Sequence, residues 1–239
     1  MQQDQFLETL RFFLSMPLNA MPVLEHFAAM PNAQFRDFGG QKRFVYIPAT
    51  RDNAVLLVAH ADTVDETNYP TKLLEIDDTI RNADTDQILG ADDRAGCAIA
   101  AILGPMLGHG ILIADGEEQG QIGAMALMER DETLADELQS RYQFMVEFDR
   151  RMNRNFKCYN VGTDEFRDYV KEKTNYRDDG RSAFTDICTL ARDICGVNLA
   201  TGFYNEHGCD EYLDKSDWLE TLNLAIHWLS ESDLPKFRR

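Results

Sequence analysis

A short apolar run that ends in two polar residues constrains the fold of this chain more than any other stretch. Residues 55–59 (VLLVA) are all apolar, which is typical of a buried strand. His60 and Asp62 follow, and they point to the same side of an extended chain because they are two residues apart. His60 could bind a metal while Asp62 holds its other ring nitrogen. On its own, this pattern also fits a solvated loop after a strand.

Strands and helices alternate along the rest of the chain. Apolar runs predict strands over residues 42–47, 55–60, 111–114, 144–148, 156–161 and 197–203, and a pair of short strands within 73–81. Amphipathic or small apolar stretches predict helices over residues 4–16, 24–30, 95–107, 166–173 and 218–229. Another helix is predicted to start over residues 122–128, and a charged, exposed helix follows it to residue 138. This order predicts an α/β fold, a three-layer sandwich with a mixed, mostly parallel sheet between helices. Without a repeat or linker, residues 1–239 are expected to form a single domain.

Composition excludes several classes of partner. The net charge of −17 argues against a nucleic-acid partner or an anionic membrane. No apolar run approaches the roughly 20 residues that span a bilayer. The first residues, MQQDQ, lack the features of an export signal, and five cysteines without a C-x-x-C pair are typical of reduced thiols. A cytoplasmic location is therefore expected.

Four further polar clusters fall where predicted strands end or a helix begins. They are residues 90–96 (GADDRAG), 111–118 (ILIADGEE), 144–149 (FMVEFD) and 202–208 (GFYNEHG). Asp149 is a better ligand candidate than Glu147 because it lies at the strand end. Each cluster alone has an ordinary explanation, such as an Asp-rich helix cap or a solvated acidic loop. Together they indicate a site beyond the carboxyl ends of the strands, where α/β sheets bind ligands.

The order of these motifs resembles that of the co-catalytic di-zinc exopeptidases. The chain has H-A-D-T-V, then G-A-D-D-R-A-G, then E-E-x-G-x-x-G-A, a strand ending in Asp, and a late His. That superfamily includes zinc aminopeptidases, peptidase T and carboxypeptidase G-like enzymes. The match covers residues 55–210. The resemblance implies the zinc exopeptidase fold and amide hydrolysis at a peptide terminus.

The resemblance also implies a role for each matched residue. The implied ligands are His60, Asp92 and Asp149 for one metal, and Asp92, Glu118 and His207 for the other. Glu117 would be the general base, Asp62 would orient His60, and the Asp92–Asp93 peptide bond would be cis. Two divalent ions are implied, and mixed imidazole and carboxylate ligands suit Zn²⁺, which Co²⁺ or Mn²⁺ could replace.

Two departures from the family pattern bear on the interpretation. Many relatives insert a lid domain after the strand that carries the Asp149-type ligand. Here only residues 150–206 separate Asp149 from His207, which resembles the single-domain form without a lid. Arg94 stands where Lys or Asp is usual, and we expect this to matter little because the side chain is not a ligand.

Other polar residues are weaker candidates for substrate contacts. Asp178, Asp179 and Asp186 precede the last strand, where one of them could bind a substrate ammonium, although a solvated loop is favoured. Arg150 and Arg151 could bind a substrate carboxylate or pair with surface acids.

The predicted function is aminopeptidase-type exopeptidase activity on a small peptide or aminoacyl substrate. Carboxylates such as Glu147, Glu206 and Asp186 near the centre favour a substrate with a free α-amine. An N-acyl amino acid deacylase is the alternative with the same chemistry. The alternative from another class is a non-catalytic relative that binds a metal or a peptide. The oligomeric state is not predicted.

Overall fold

The computed structural model describes residues 2–239, which form both helices and strands. The helices are α1 (Gln2–Leu14), α2 (Met21–Ala28), α3 (Ala91–Leu107), α4 (Ile122–Arg130), α5 (Glu132–Arg141), α6 (Asp164–Thr174), α7 (Asp186–Leu190) and α8 (Lys215–Leu229). The strands are β1 (Gln34–Asp37), β2 (Arg43–Ile47), β3 (Leu56–His60), β4 (Leu73–Ile76), β5 (Thr79–Asn82), β6 (Gly110–Ala114), β7 (Met145–Arg150), β8 (Asn155–Lys157), β9 (Arg177–Asp178), β10 (Gly196–Ala200), β11 (Phe203–Tyr204) and β12 (Tyr212–Asp214).

The main sheet is mixed, as the sequence predicts. Its strand order is β1-β2-β6-β3-β7-β10-β8-β9. The central strands β6, β3, β7 and β10 run parallel to one another, while β2 and β8 are antiparallel to their central neighbours. A smaller antiparallel sheet has the order β11-β12-β5-β4.

Helices cover both faces of the main sheet because its central strands are apolar on both sides. On one face, Leu57, Ile113 and Val146 pack in a cluster with residues of α1, α2, α3, α6 and α8. On the other face, Val58 and Leu112 pack with residues of α4, α5 and α7. The three-layer α/β arrangement predicted from the sequence is therefore confirmed.

Two predicted strands end earlier than expected. The strand predicted over residues 156–161 stops at Lys157, and Tyr159 then adopts a positive φ of 47° in a turn. The strand predicted over residues 197–203 stops at Ala200, and Gly202 has a φ of 84°. A side chain at Gly202 would come within 2.8 Å of the Trp218 backbone nitrogen, so helix α8 packs against a bend there. Positive φ values interrupt the extended backbone that a ladder requires.

Within residues 2–239, no helix combines the length and the apolar character needed to cross a membrane.

The parallel strands bring the polar clusters to one edge of the sheet. His60 is the last residue of β3, Asp115 directly follows β6, and Asp149 is next to last in β7. Since these strands are parallel neighbours, their carboxyl ends lie side by side. The start of α3 reaches the same edge, because His60 contacts Asp92.

Candidate metal centre

His60 lies at the centre of the first group of possible ligands. Its Nε2 is 3.0 Å from Asp92 Oδ1 and 3.4 Å from Asp149 Oδ1. The approach of His60 and Asp149 follows from the parallel pairing of β3 with β7. Asp92 reaches them because it departs from helical geometry, with φ −83° and ψ 101° at the start of α3.

His207 forms a second group with the same aspartate. Its Nε2 is 3.2 Å from Asp92 Oδ2 and 2.8 Å from Glu118 Oε1. The two carboxylate oxygens of Asp92 therefore face two different histidines. All five residues that the sequence marks as ligand candidates meet at this point.

The donor set of each group fits a divalent cation. Each offers one imidazole nitrogen and two carboxylate oxygens, and within each group these atoms lie within 4.8 Å of one another. Such mixed ligands suit Zn²⁺. Burial and the nearby charge of Asp149 raise the pKa of Asp92 to about 6. A cation at each group would offset this crowding of buried negative charge.

Asp62 connects the His60 group to the loop that carries the two glutamates. The Nδ1 of His60 is 3.1 Å from the carbonyl oxygen of Asp62 and 3.4 Å from its Oδ1. The carboxylate of Asp62 also accepts hydrogen bonds from the backbone N–H groups of Glu117 and Glu118, each at 3.1 Å. Asp62 thus lies against the ring nitrogen of His60 that faces away from Asp92.

Glu117 occupies a different environment from its neighbour Glu118. Within residues 2–239, its side chain takes part in no ion pair, whereas Glu118 contacts His207. Burial is the main cause that raises the pKa of Glu117 to about 9; His60 opposes the shift, and the charges of Asp149 and Asp186 add to it. A carboxyl group whose pKa is shifted this far beside a cluster of metal-ligating residues is a candidate for proton transfer.

Comparison with known families decides the identity of this arrangement. Residues 44–227 match the sequence profile described as Peptidase family M28. The chain belongs to peptidase family M28. It is therefore a metallopeptidase, and the zinc exopeptidase superfamily expected from the sequence motifs is confirmed. A search of curated proteins found no match.

Solved structures of peptidases share the fold of this M28 chain. Aminopeptidase PepT from Bacillus cereus ATCC 10987 is 14% identical, with a TM-score of 0.70, and the match covers 96% of this chain and 98% of that one. A tripeptidase from Staphylococcus aureus subsp. aureus Mu50 is 13% identical, with a TM-score of 0.68 and coverage of 95% and 98%. An aminopeptidase from the archaeon Desulfurococcus kamchatkensis is 13% identical, with a TM-score of 0.65 and coverage of 96% of both chains.

Several residues outside the ligand set support this M28 site, and two of them, Thr185 and Asn198, carry no motif signal in the sequence. Thr185 Oγ1 donates a 2.9 Å hydrogen bond to Asp149 Oδ2. The Asp149 backbone N–H donates to Asn198 Oδ1 at 2.8 Å. Asp93 is fully buried, and its carboxylate accepts hydrogen bonds from the backbone N–H groups of His60 and Gly96 at 3.2 and 2.9 Å. The Asp92–Asp93 peptide bond is cis, as the resemblance implies.

Arg94 has a larger structural role than the sequence suggests. The side chain is fully buried and donates hydrogen bonds to the carbonyl oxygens of Pro17 at 2.8 Å, Asn19 at 3.0 Å, and Ala61. It therefore ties the start of α3 to the segment before α2 and to the loop after His60. The expectation that this position matters little considered only metal ligation, and it overlooked the need of a buried cation for partners.

Asp186 contradicts the expectation of a solvated loop. It is fully buried at the start of α7, and neither of its carboxylate oxygens has a hydrogen-bond partner among the described residues. Burial raises its pKa to about 8. The loop is buried at this point because α7 packs on the sheet face occupied by α4 and α5. Asp178 and Asp179 are exposed, as expected.

The two arginines after Asp149 pair with acids of the protein itself. Arg150 lies 2.6 Å from Asp179, and Arg151 lies 2.6 Å from Glu206. Of the two roles left open by the sequence, pairing with surface acids is the one the structure supports.

Proposed function

We propose that this M28 peptidase removes the amino-terminal residue from short peptides with the help of two divalent metal ions, expected to be Zn²⁺. The observation that carries the proposal is the carboxylate of Asp92, whose two oxygens face His60 and His207. A shared carboxylate is what a pair of metals roughly 3.5–4 Å apart requires. Asp149 would complete the first ligand group and Glu118 the second. We propose that residues 1–239 act as one catalytic unit without a lid.

The residues around this centre would have different roles in amide hydrolysis. When bound, the cations would polarise the scissile carbonyl and make a water molecule more acidic. The charge of the bound cations would lower the raised pKa of Glu117, so that its carboxylate would take the proton from the attacking water and deliver it to the leaving amine. Asp62 would hold the His60 ring in orientation through Nδ1. The backbone N–H groups of Glu117 and Glu118 donate to the Asp62 carboxylate, and these hydrogen bonds would hold both glutamates at a fixed position relative to His60.

The charge around the centre favours a substrate with a free α-amine. Asp186 and Glu147 are buried, their carboxyl oxygens have no hydrogen-bond partner among the described residues, and burial raises the pKa of both groups. A nearby substrate ammonium would stabilise their ionised forms. The nearby cations Arg150 and Arg151 are already paired with acids. A substrate ammonium is therefore better matched to this surrounding than a substrate carboxylate. The described functions of the similar PepT and tripeptidase structures agree with this assignment.

A cytoplasmic location is also proposed. The described cysteines are all free thiols, and Cys97, Cys158 and Cys195 are buried. Free thiols are the rule in reducing compartments.

Three substrates test the proposal. Zinc-loaded protein is assayed with Leu-p-nitroanilide, with its N-acetyl form, and with an N-acetyl amino acid. We expect turnover of the free amine and little of the other two. Preference for the N-acetyl amino acid would replace the aminopeptidase assignment with a deacylase. Absence of turnover with all three, while about two zinc ions bind per chain, would favour the non-catalytic relative.

A further inference from the structure

Both carboxylate oxygens of Glu211 accept hydrogen bonds from the backbone of the turn that carries Asp92. Its Oε2 accepts the N–H of Gly90 at 2.8 Å, and its Oε1 accepts the N–H of Ala91 at 2.8 Å. The N–H of Asp92 also points to Oε1, at 3.4 Å. Three consecutive backbone N–H groups are thus gathered by one side chain.

Glu211 is buried, so its carboxylate depends on these backbone hydrogen bonds. Its side chain is buried, at 2% exposure, and it forms no ion pair within residues 2–239. The hydrogen bonds from the backbone N–H groups of the turn therefore offset the free-energy cost of burying the Glu211 carboxylate. Gly90 itself adopts a left-handed φ of 73°, and a side chain there would lie 2.5 Å from Leu18 Cδ2. Leu18 therefore packs closely against the backbone of Gly90, and Glu211 binds the N–H groups of the same turn.

The position of Glu211 in the chain links this turn to the second histidine. Glu211 lies four residues after His207, in the connection between β11 and β12. Within this connection, the N–H of Glu211 donates to the carbonyl oxygen of Gly208 at 3.0 Å, and the N–H of Gly208 donates to that of Asn205 at 3.2 Å. The segment that holds the Asp92 turn is therefore the segment that carries His207.

We propose that Glu211 is a positioning residue that fixes the shared carboxylate of Asp92 and joins the Asp92 turn to the His207 loop. This proposal rests on the two-metal function proposed above. Since both groups use Asp92, loss of the Glu211 contacts would weaken metal binding at both positions. A ligand that belongs to one group only, such as His207, would affect one position when removed.

The experiment compares zinc binding by Glu211→Gln, His207→Ala and the wild-type protein. Zinc affinity is measured by competition with a chromophoric chelator, and bound zinc is counted by elemental analysis. Glu211→Gln keeps the size of the side chain but replaces one acceptor oxygen with a donor group. We expect it to lose roughly 10–100-fold in affinity at both positions, the usual effect of altering an outer-shell contact. His207→Ala should weaken one position and leave the other near the wild-type value.

A matched control separates positioning from general stability. Asp131 accepts the backbone N–H of Leu134 at 3.2 Å at the start of α5, pairs with Arg36 at 3.2 Å, and belongs to neither ligand group. Asp131→Asn makes the same change from carboxylate to amide at a backbone acceptor, and it should leave zinc binding unchanged. If Glu211→Gln does not fold, Glu211→Asp replaces it, because the shorter side chain keeps the charge but cannot reach both Gly90 and Ala91.

The outcomes separate this proposal from the proposed function. If the wild-type protein binds fewer than two zinc ions, the two-metal function fails. If it binds two and Glu211→Gln binds both with wild-type affinity, or loses only one, the positioning role of Glu211 is overturned. If neither Glu211 variant folds while Asp131→Asn does, Glu211 serves overall stability and the proposal is also overturned.

Discussion

The adjacent residues Glu117 and Glu118 differ in function because their side chains meet different partners. Glu118 Oε1 lies 2.8 Å from His207 Nε2, in a group that could hold a cation. Glu117 has no ion-pair partner among the described residues, and its pKa is raised to about 9, mainly by burial. A ligand must present an oxygen to the metal, whereas a base must remain free to exchange a proton. The pair thus provides a direct test of the proposed roles.

Replacing Glu117 by Gln should stop catalysis without releasing metal. The amide keeps the size of the side chain but cannot accept the proton, so kcat should fall by about 10²–10⁴-fold. Bound zinc, counted by elemental analysis, should remain at the wild-type level. Glu129→Gln, on the exposed end of α4, is the control and should change neither quantity. Near wild-type turnover by Glu117→Gln would show that another group is the base.

The ligand candidates could be found from the sequence, whereas the residues that hold them in place could not. His60 and Asp149 follow apolar strands, and this change from apolar to polar can be read from one sequence. Glu211 bonds to backbone N–H groups, which every residue except proline offers, so no pattern reveals its partner. Asp186 lies in a segment rich in Asp, Gly and Ser, and its burial depends on how α7 packs in three dimensions.

At the scale of elements, His109 connects three parts of the fold away from the metal centre. It lies just before β6, and its Nδ1 accepts the N–H of Val55, at the start of the β3 run, at 3.2 Å. Its Nε2 lies 3.0 Å from the carbonyl oxygen of Leu229, the last residue of α8. Since Nδ1 must accept and Nε2 must donate, the ring is neutral in the folded protein. Burial lowers the pKa of His109 to about 4.

This neutral histidine should make the free energy of unfolding depend on pH. The folded pKa lies below the ordinary value of 6.5, so the unfolded chain binds the proton more readily as the pH falls. The stabilisation is complete above pH 6.5 and is lost as the pH falls towards 4. Its upper limit is about 3 kcal/mol, by the usual conversion of a pKa difference.

Urea unfolding at pH 7 and pH 4.5 measures this effect. His109→Gln removes the titrating group, so the variant should lose less stability than the wild-type protein between the two pH values. His227→Gln, at an exposed position of α8, is the control and should behave as the wild-type protein does. Equal losses in the wild-type protein and His109→Gln would contradict the assignment.

The longer elements follow from the sequence pattern, but the short ones do not. Helix α8 buries Trp218 and Trp228, as its amphipathic pattern predicts. Strand β9 has two residues and strand β12 has three, too few for an alternation of apolar and polar residues to be recognised. These short strands form only because longer neighbours offer an edge to pair with, which is information from the whole fold.

At the scale of the whole molecule, the negative net charge determines the electrostatic potential that a ligand meets as it approaches. The chain carries 41 acidic and 24 basic residues, for a net charge of −17. Several arginines are already paired with acids, including Arg11 with Glu75 and Arg192 with Asp136. The unbalanced acids therefore produce a negative potential around the protein, which concentrates cationic ligands and repels anionic ones.

The last prediction follows from this potential. The value of kcat/KM for a peptide that carries an extra lysine should exceed that for a matched peptide with glutamate at low ionic strength. The difference should shrink as NaCl is added, because the Debye length falls from about 30 Å at 0.01 M to about 10 Å at 0.1 M. Each substrate's kcat should change little, since screening acts on the encounter rather than on the bound complex. A preference for lysine that is constant from low to high salt would instead indicate a direct contact within the site. A preference for glutamate at low salt would show that the local charge around the metal centre is opposite to that of the molecule as a whole.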